Sequence, residues 1–130
     1  MNRSKTVFSL AMLAFAGATL LAAGLPCSIH AKKGAKKEEL AAMAKVSQDD
    51  AQKAALASLN DSSKATVKEA ELEAEHGCLV YSFDIAIDGK TGVQEVQVDA
   101  GNGKVLSSKH ESPKAEATEK AKDKPKPPSN

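Results

Sequence analysis

From Leu79 to Leu106 apolar and polar residues alternate, and the alternation is interrupted at Asp88-Gly-Lys-Thr-Gly92 and again at Gly101-Asn-Gly103. A period of two marks a half-buried strand, and glycine supplies the positive φ that tight turns need. The stretch therefore reads as three short strands joined by glycine-marked turns. Strands this short must pair with neighbours and bury one face, so an antiparallel sheet with a cover is required.

The residues before it supply both. Between Ala65 and Glu75, Ala70, Leu72 and Ala74 point one way and Glu69, Glu71, Glu73 and Glu75 the other. A two-residue turn at His76-Gly77 sets Ala74 opposite Leu79, Leu72 opposite Tyr81 and Ala70 opposite Phe83. On the other face it sets Glu73 against Val80, Glu71 against Ser82 and Glu69 against Asp84. A slip of one residue would mix the two faces, which fixes this register. For the next hairpin, Ile85 opposite Val96 and Phe83 opposite Val98 keep the core face apolar. A third, closed at Gly101-Asn102, brings Val98 beside Val105 and forms an exposed charge pair between Asp99 and Lys104.

The cover is a helix from about Gln48 to Leu59. Ser47 is its N-cap, Asp49 and Asp50 place negative charge in its first turn, and Val46 with Ala51 can form a hydrophobic staple. Ala51, Ala55 and Leu59 mark its core face, and Asn60-Asp61-Ser62-Ser63 ends it. The expected fold is α+β, one N-terminal helix packed on a twisted antiparallel sheet of three to four strands. Leu72, Leu79, Tyr81, Phe83, Ile85, Val96, Val98 and Val105 are its core scaffold.

What flanks this unit reads differently. Residues 1–31 have the form of a signal peptide, with Arg3 and Lys5 ahead of an uncharged Leu/Ala-rich run from Val7 to Leu25 and a cut between Ala31 and Lys32. Retention as a membrane anchor, or lipidation of Cys27, are the other fates open to such a leader. Each puts the folded part outside the cytoplasm, in the periplasm or secreted. After a cut at Ala31 only Cys78 would remain, leaving a thiol without a disulfide partner. Residues 32–45 read as a basic, Ala-rich linker, with a short helical turn over Glu38 to Lys45. Residues 109–130, rich in Lys, Glu, Ala and Pro, read as a disordered tail.

Removing Arg3 and Lys5 leaves 16 of the 18 basic residues against 17 acidic ones. That balance gives no drive toward nucleic acid and none toward an anionic membrane unless the leader is retained or Cys27 lipidated. No Ser-His-Asp arrangement, phosphate-cradling loop or paired catalytic carboxylates can be identified, so the chain is read as non-enzymatic and without a cofactor. His76 and Cys78 are the one place where two soft ligands meet, and they support an alternative reading as an envelope metal-responsive or redox protein. The row Glu69, Glu71, Glu73, Glu75 is a candidate partner-binding face; carboxylates strung along one strand do not converge on calcium as a loop's ligands do.

The succession Val46-Ser47-Gln-Asp-Asp-Ala51, then Leu79-Val-Tyr-Ser-Phe-Asp-Ile85, then Val98-Asp-Ala-Gly-Asn-Gly-Lys-Val-Leu106 resembles the PepSY domain over Val46 to Ser108. The family's closing signature is Val-Asp-Ala-x-Thr-Gly-Lys-Val-Leu, and Asn102 stands here in place of its Thr. The resemblance implies a non-catalytic module similar to domains in thermolysin-type protease propeptides, one that regulates or inhibits an extracytoplasmic peptidase or an envelope partner. Self-association into a homodimer is a further expectation, because a core of this size is marginal alone.

Overall fold

A computed structural model describes residues 26–122. Its sheet has four antiparallel strands in the order β1 (Ala65–Glu75), β2 (Cys78–Ile87), β3 (Val93–Asp99) and β4 (Val105–Glu111), each beside its neighbour in sequence. Helices α1 (Lys37–Met43) and α2 (Gln48–Ala57) precede the sheet and α3 (Pro113–Lys122) follows it. The α+β architecture expected from the sequence is thus present.

The β1–β2 register agrees pair by pair with the alternation pattern, from Glu75 opposite Cys78 back to Glu69 opposite Asp84. His76 and Gly77 both have positive φ, 49° and 82°, the combination a type I′ turn demands. A register shift between Val67 and Glu69 then lets the strand continue to Ala65 opposite Ile87. Between β2 and β3 the pairing is two residues from the expectation: Phe83 lies opposite Val96, Tyr81 opposite Val98 and Ile85 opposite Gln94. A slip of two returns every side chain to its own face, so alternation does not distinguish the two registers. Val98 does lie opposite Val105.

Leu79, Phe83, Ile85, Val96 and Val98 are fully buried, Tyr81 nearly so, and Leu72 and Val105 are partly buried at the margin. Alpha2 packs across β1, β2 and β3. Its contact residues Ala51 and Ala55 are completely buried, because an alanine face lets a helix approach a sheet closely. Ser47 Oγ accepts from the Asp50 amide at 3.1 Å, the N-cap the sequence marks. Tyr81 is tied to the chain before α2 by its hydroxyl, which donates to the Val46 carbonyl at 2.8 Å.

Both flanks depart from expectation. Residues 26–31 form a strap on the domain: the Ala31 amide donates to Gly77 O and the Leu79 amide to Ile29 O, and Ala31 belongs to the core. Cys27 and Cys78 form a disulfide across 51 residues. The reading of Cys78 as a lone thiol is therefore overturned, and so is lipidation of Cys27, whose sulfur is already bonded. A cut between Ala31 and Lys32 would discard residues that the folded domain uses. Residues 32–45 are more than a linker, since Leu40 of α1 is buried in the same core.

At the other end Lys109, His110 and Glu111 complete β4, and α3 follows, so 109–122 are ordered rather than a disordered tail. Composition is a poor guide here because Ala, Glu and Lys are also strong helix formers. The rest of the tail and the apolar run Val7 to Leu25 lie outside the described residues. Among the described residues, no helix is long and apolar enough to cross a membrane.

Candidate functional site

The sheet has two unlike faces. One is sealed by α1 and α2. The other carries the carboxylates that alternation pushes away from the core, and it forms a concavity of about 340 Å³ lined by Glu69, Glu71, Glu73 and Glu75 of β1, Asp84 of β2 and Glu95 of β3. The structure thus keeps the candidate Glu row on one face and adds acidic residues from three further strands, Glu111 of β4 being the third.

Alpha3 reaches over this face. Lys120 Nζ lies 3.0 Å from Glu69 Oε2, 2.8 Å from Glu116 Oε1 and 3.9 Å from Asp84 Oδ2. Hydrogen bonds to Glu116 and Glu69 raise the ammonium pKa above its ordinary value. Beside it, carboxylate oxygens of Glu95, Glu111 and Glu119 all lie within 4.8 Å of one another. Burial, reinforced by the carboxylates of Glu111 and Glu119, pushes Glu95 up to about 7. Asp84 is also raised, chiefly by burial, with Lys120 opposing. Glu111, only 3% exposed, accepts from Lys109 Nζ at 2.8 Å. Ser82 Oγ is buried beneath these groups without a hydrogen-bond partner among the described residues.

The second constellation is at the start of β2. His30 pairs with Cys78 as an antiparallel bridge, so the strap continues the lane that β3 leaves at Asp99. Asp99 holds the strap in place. Completely buried, it accepts from the backbone amide and the hydroxyl of Ser28 and from the amides of Gly101 at 2.7 Å and Asn102 at 3.2 Å. Burial pushes its carboxyl up, but the bonds from Ser28, Gly101 and Asn102 outweigh this and leave its pKa below the ordinary value. The expected exposed pair of Asp99 with Lys104 is therefore replaced by a buried carboxylate; Lys104 meets Asp99 only through the backbone, Asp99 N to Lys104 O at 2.8 Å. Gly101 is required because a Cβ there would collide with Ser28 Oγ and the Ile29 side chain.

His76 and Cys78 do not form a site together. The His76 imidazole is 85% exposed and lies 3.4 Å from Glu75, whereas the ring beside Cys78 is that of His30, with Nδ1 3.7 Å from Cys27 Sγ. Sequence reasoning missed Cys27 and His30 because both fall in the segment assigned to a discarded leader. The signal that could have found them is the pair of cysteines itself in an extracytoplasmic chain.

No curated protein and no solved structure gives a significant match to this chain. The family model described as peptidase propeptide and YPEB domain, PepSY, matches residues 45–109, from just before the α2 cap to the middle of β4. PepSY domains are generally non-catalytic propeptide or regulatory modules and typically extracellular. Half of the chain, including the whole β1–β3 scaffold, is covered by that match, and the chain belongs to the PepSY domain family.

Proposed function

We propose that this PepSY protein is a non-catalytic binding module that works outside the cytoplasm and regulates or inhibits a peptidase or another envelope protein. The observation that carries the reading is the family match over 45–109, coupled to a face built of side chains rather than a deep enclosed pocket. Such a face suits a protein partner. Glu69, Glu71, Glu73 and Glu75 belong to β1, an 11-residue strand at the sheet edge, where main-chain pairing can add to side-chain contact. The charge there favours a partner segment rich in Lys or Arg and makes association faster at low salt. Secretion would require a cut on the N-terminal side of Cys27, so that the mature chain keeps its disulfide.

The test is inhibition of secreted metalloproteases of the same organism by the protein beginning just before Cys27. Slowing of a cognate enzyme, weakened by Glu71→Lys with Glu75→Lys and by added salt, supports the reading. Absence of both binding and inhibition across those peptidases and the periplasmic protein pool overturns it.

A further inference from the structure

The Cys27–Cys78 disulfide joins two segments that are already held together without it. On either side of the sulfurs the backbone bonds Ala31 N to Gly77 O, 3.0 Å, and Leu79 N to Ile29 O, 2.9 Å, pin the strap to β2. Ser28 is bound to buried Asp99, and Ala31 is part of the core. Breaking the S–S bond therefore leaves two thiols facing each other on a docked scaffold. Their Cα atoms are 5.8 Å apart, so small side-chain rotations can open the sulfurs to the roughly 3.8 Å separation that two thiolates on one tetrahedral metal require.

His30 completes the set. Its ring nitrogen and the two Sγ atoms lie within 4.8 Å of one another, with His30 exposed and both cysteines only half-buried, so an ion can enter from solvent. In the disulfide form His30 Nδ1 lies 3.3 Å from Gly77 O as well as 3.7 Å from Cys27 Sγ, and a cation bound at Nδ1 takes the place of the carbonyl contact.

We propose that Cys27, Cys78 and His30 form a redox-gated site for a thiophilic cation of the zinc or cuprous class, closed in the disulfide form and opened by reduction. The gating step is thiol–disulfide exchange. A protein dithiol of the thioredoxin class attacks one sulfur, the S–S bond breaks, and the reductant leaves as its own disulfide after giving two electrons and two protons to Cys27 and Cys78. The cation then displaces both thiol protons to solvent and is held by two sulfurs and one imidazole nitrogen, with an open position for water or a partner's ligand. Two thiolates and an imidazole favour these ions over magnesium or calcium.

The experiment uses the chain from just before Cys27, reduced, freed of reductant under anaerobic conditions and titrated with Zn²⁺, with Co²⁺ as a spectroscopic stand-in. Expected are one ion per reduced chain, thiolate-to-cobalt charge-transfer bands, and no such binding by the disulfide form. His30→Ala should weaken binding at least tenfold, while His76→Ala leaves it unchanged. Cys27→Ser with Cys78→Ser should abolish the charge-transfer bands; because that variant also lacks the disulfide, hydrogen exchange at Ala31 and Leu79 shows whether the strap stays docked. The proposal is overturned if the reduced chain binds Zn²⁺ no better than the double serine variant, if His30→Ala binds like wild type, or if reduction releases the strap. Substituting Cu⁺ under a competing chelator tells which of the two ions is held more tightly.

Discussion

The two segments that flank the PepSY match are attached to the same sheet by opposite means. The N-terminal strap is held by a disulfide, backbone bonds and a buried carboxylate. Alpha3 is amphiphilic only in charge: it buries no residue, and its grip on the outer face is Lys120 against Glu69 and Asp84, with Glu116 of the same helix steadying the ammonium. Interactions shielded from water keep their strength, whereas exposed ion pairs are weakened by solvent and salt. The strap should therefore behave as part of the fold and α3 as a detachable cover over the acidic face. A partner that competes with Lys120 needs to displace little.

Removing the disulfide by Cys27→Ser with Cys78→Ser gives the largest expected effect. Loop-closure entropy for a 51-residue separation predicts a loss of about 4 kcal/mol, read from the denaturant midpoint. A loss below about 1 kcal/mol would show that the strap is not covalently held in the native protein. Next is Asp99→Ala, which strands the Ser28 and Gly101 amides and should cost about 2–3 kcal/mol. Because Asp99 sits below its ordinary pKa, its contribution is complete above the unfolded carboxylate value and lost as the pH falls through the folded one. Asp99→Asn should remove that part of acid lability.

Glu95 has the opposite sign. Its folded pKa, about 7, lies above the unfolded value of 4.5, so stability is full below pH 4.5 and declines until about pH 7. Partial exposure to solvent limits the effect to no more than about 2 kcal/mol. Glu95→Gln should flatten stability over that window; an unchanged profile would place the pH dependence elsewhere. Smallest is Lys120→Ala, expected to cost below about 1 kcal/mol and to matter only at low salt. It should nevertheless raise hydrogen exchange along α3 while leaving Leu79 and Ala31 protected. Equal loosening of strap and helix would erase the contrast between them.

The β1–β2 hairpin was legible residue by residue because its constraints are local: alternating faces, and a two-residue turn with Gly77 at a positive φ. The Ser47 cap and the alanine face of α2 are local in the same sense. The β2–β3 register was not, since the five residues Asp88 to Gly92 leave the turn free to slip by two without moving any side chain off its face. In the candidate site, the Glu row of β1 could be placed on one face from spacing alone. Its neighbours Asp84, Glu95 and Glu111, and the Lys120 that meets it, come from other elements.

The sequence by itself determined the PepSY scaffold, the split of the sheet into apolar and acidic faces, and the acidic row at its edge, because each depends on residues two to four positions apart. Tertiary structure alone decided that Cys27 and His30 meet Cys78, that Asp99 is a buried anchor for Ser28 rather than an exposed partner of Lys104, and that the charged segment after Glu111 folds back as α3. Those contacts join residues far apart in the chain. Their stabilisation exists only once the sheet has brought the partners together, so no local pattern in the sequence could record them.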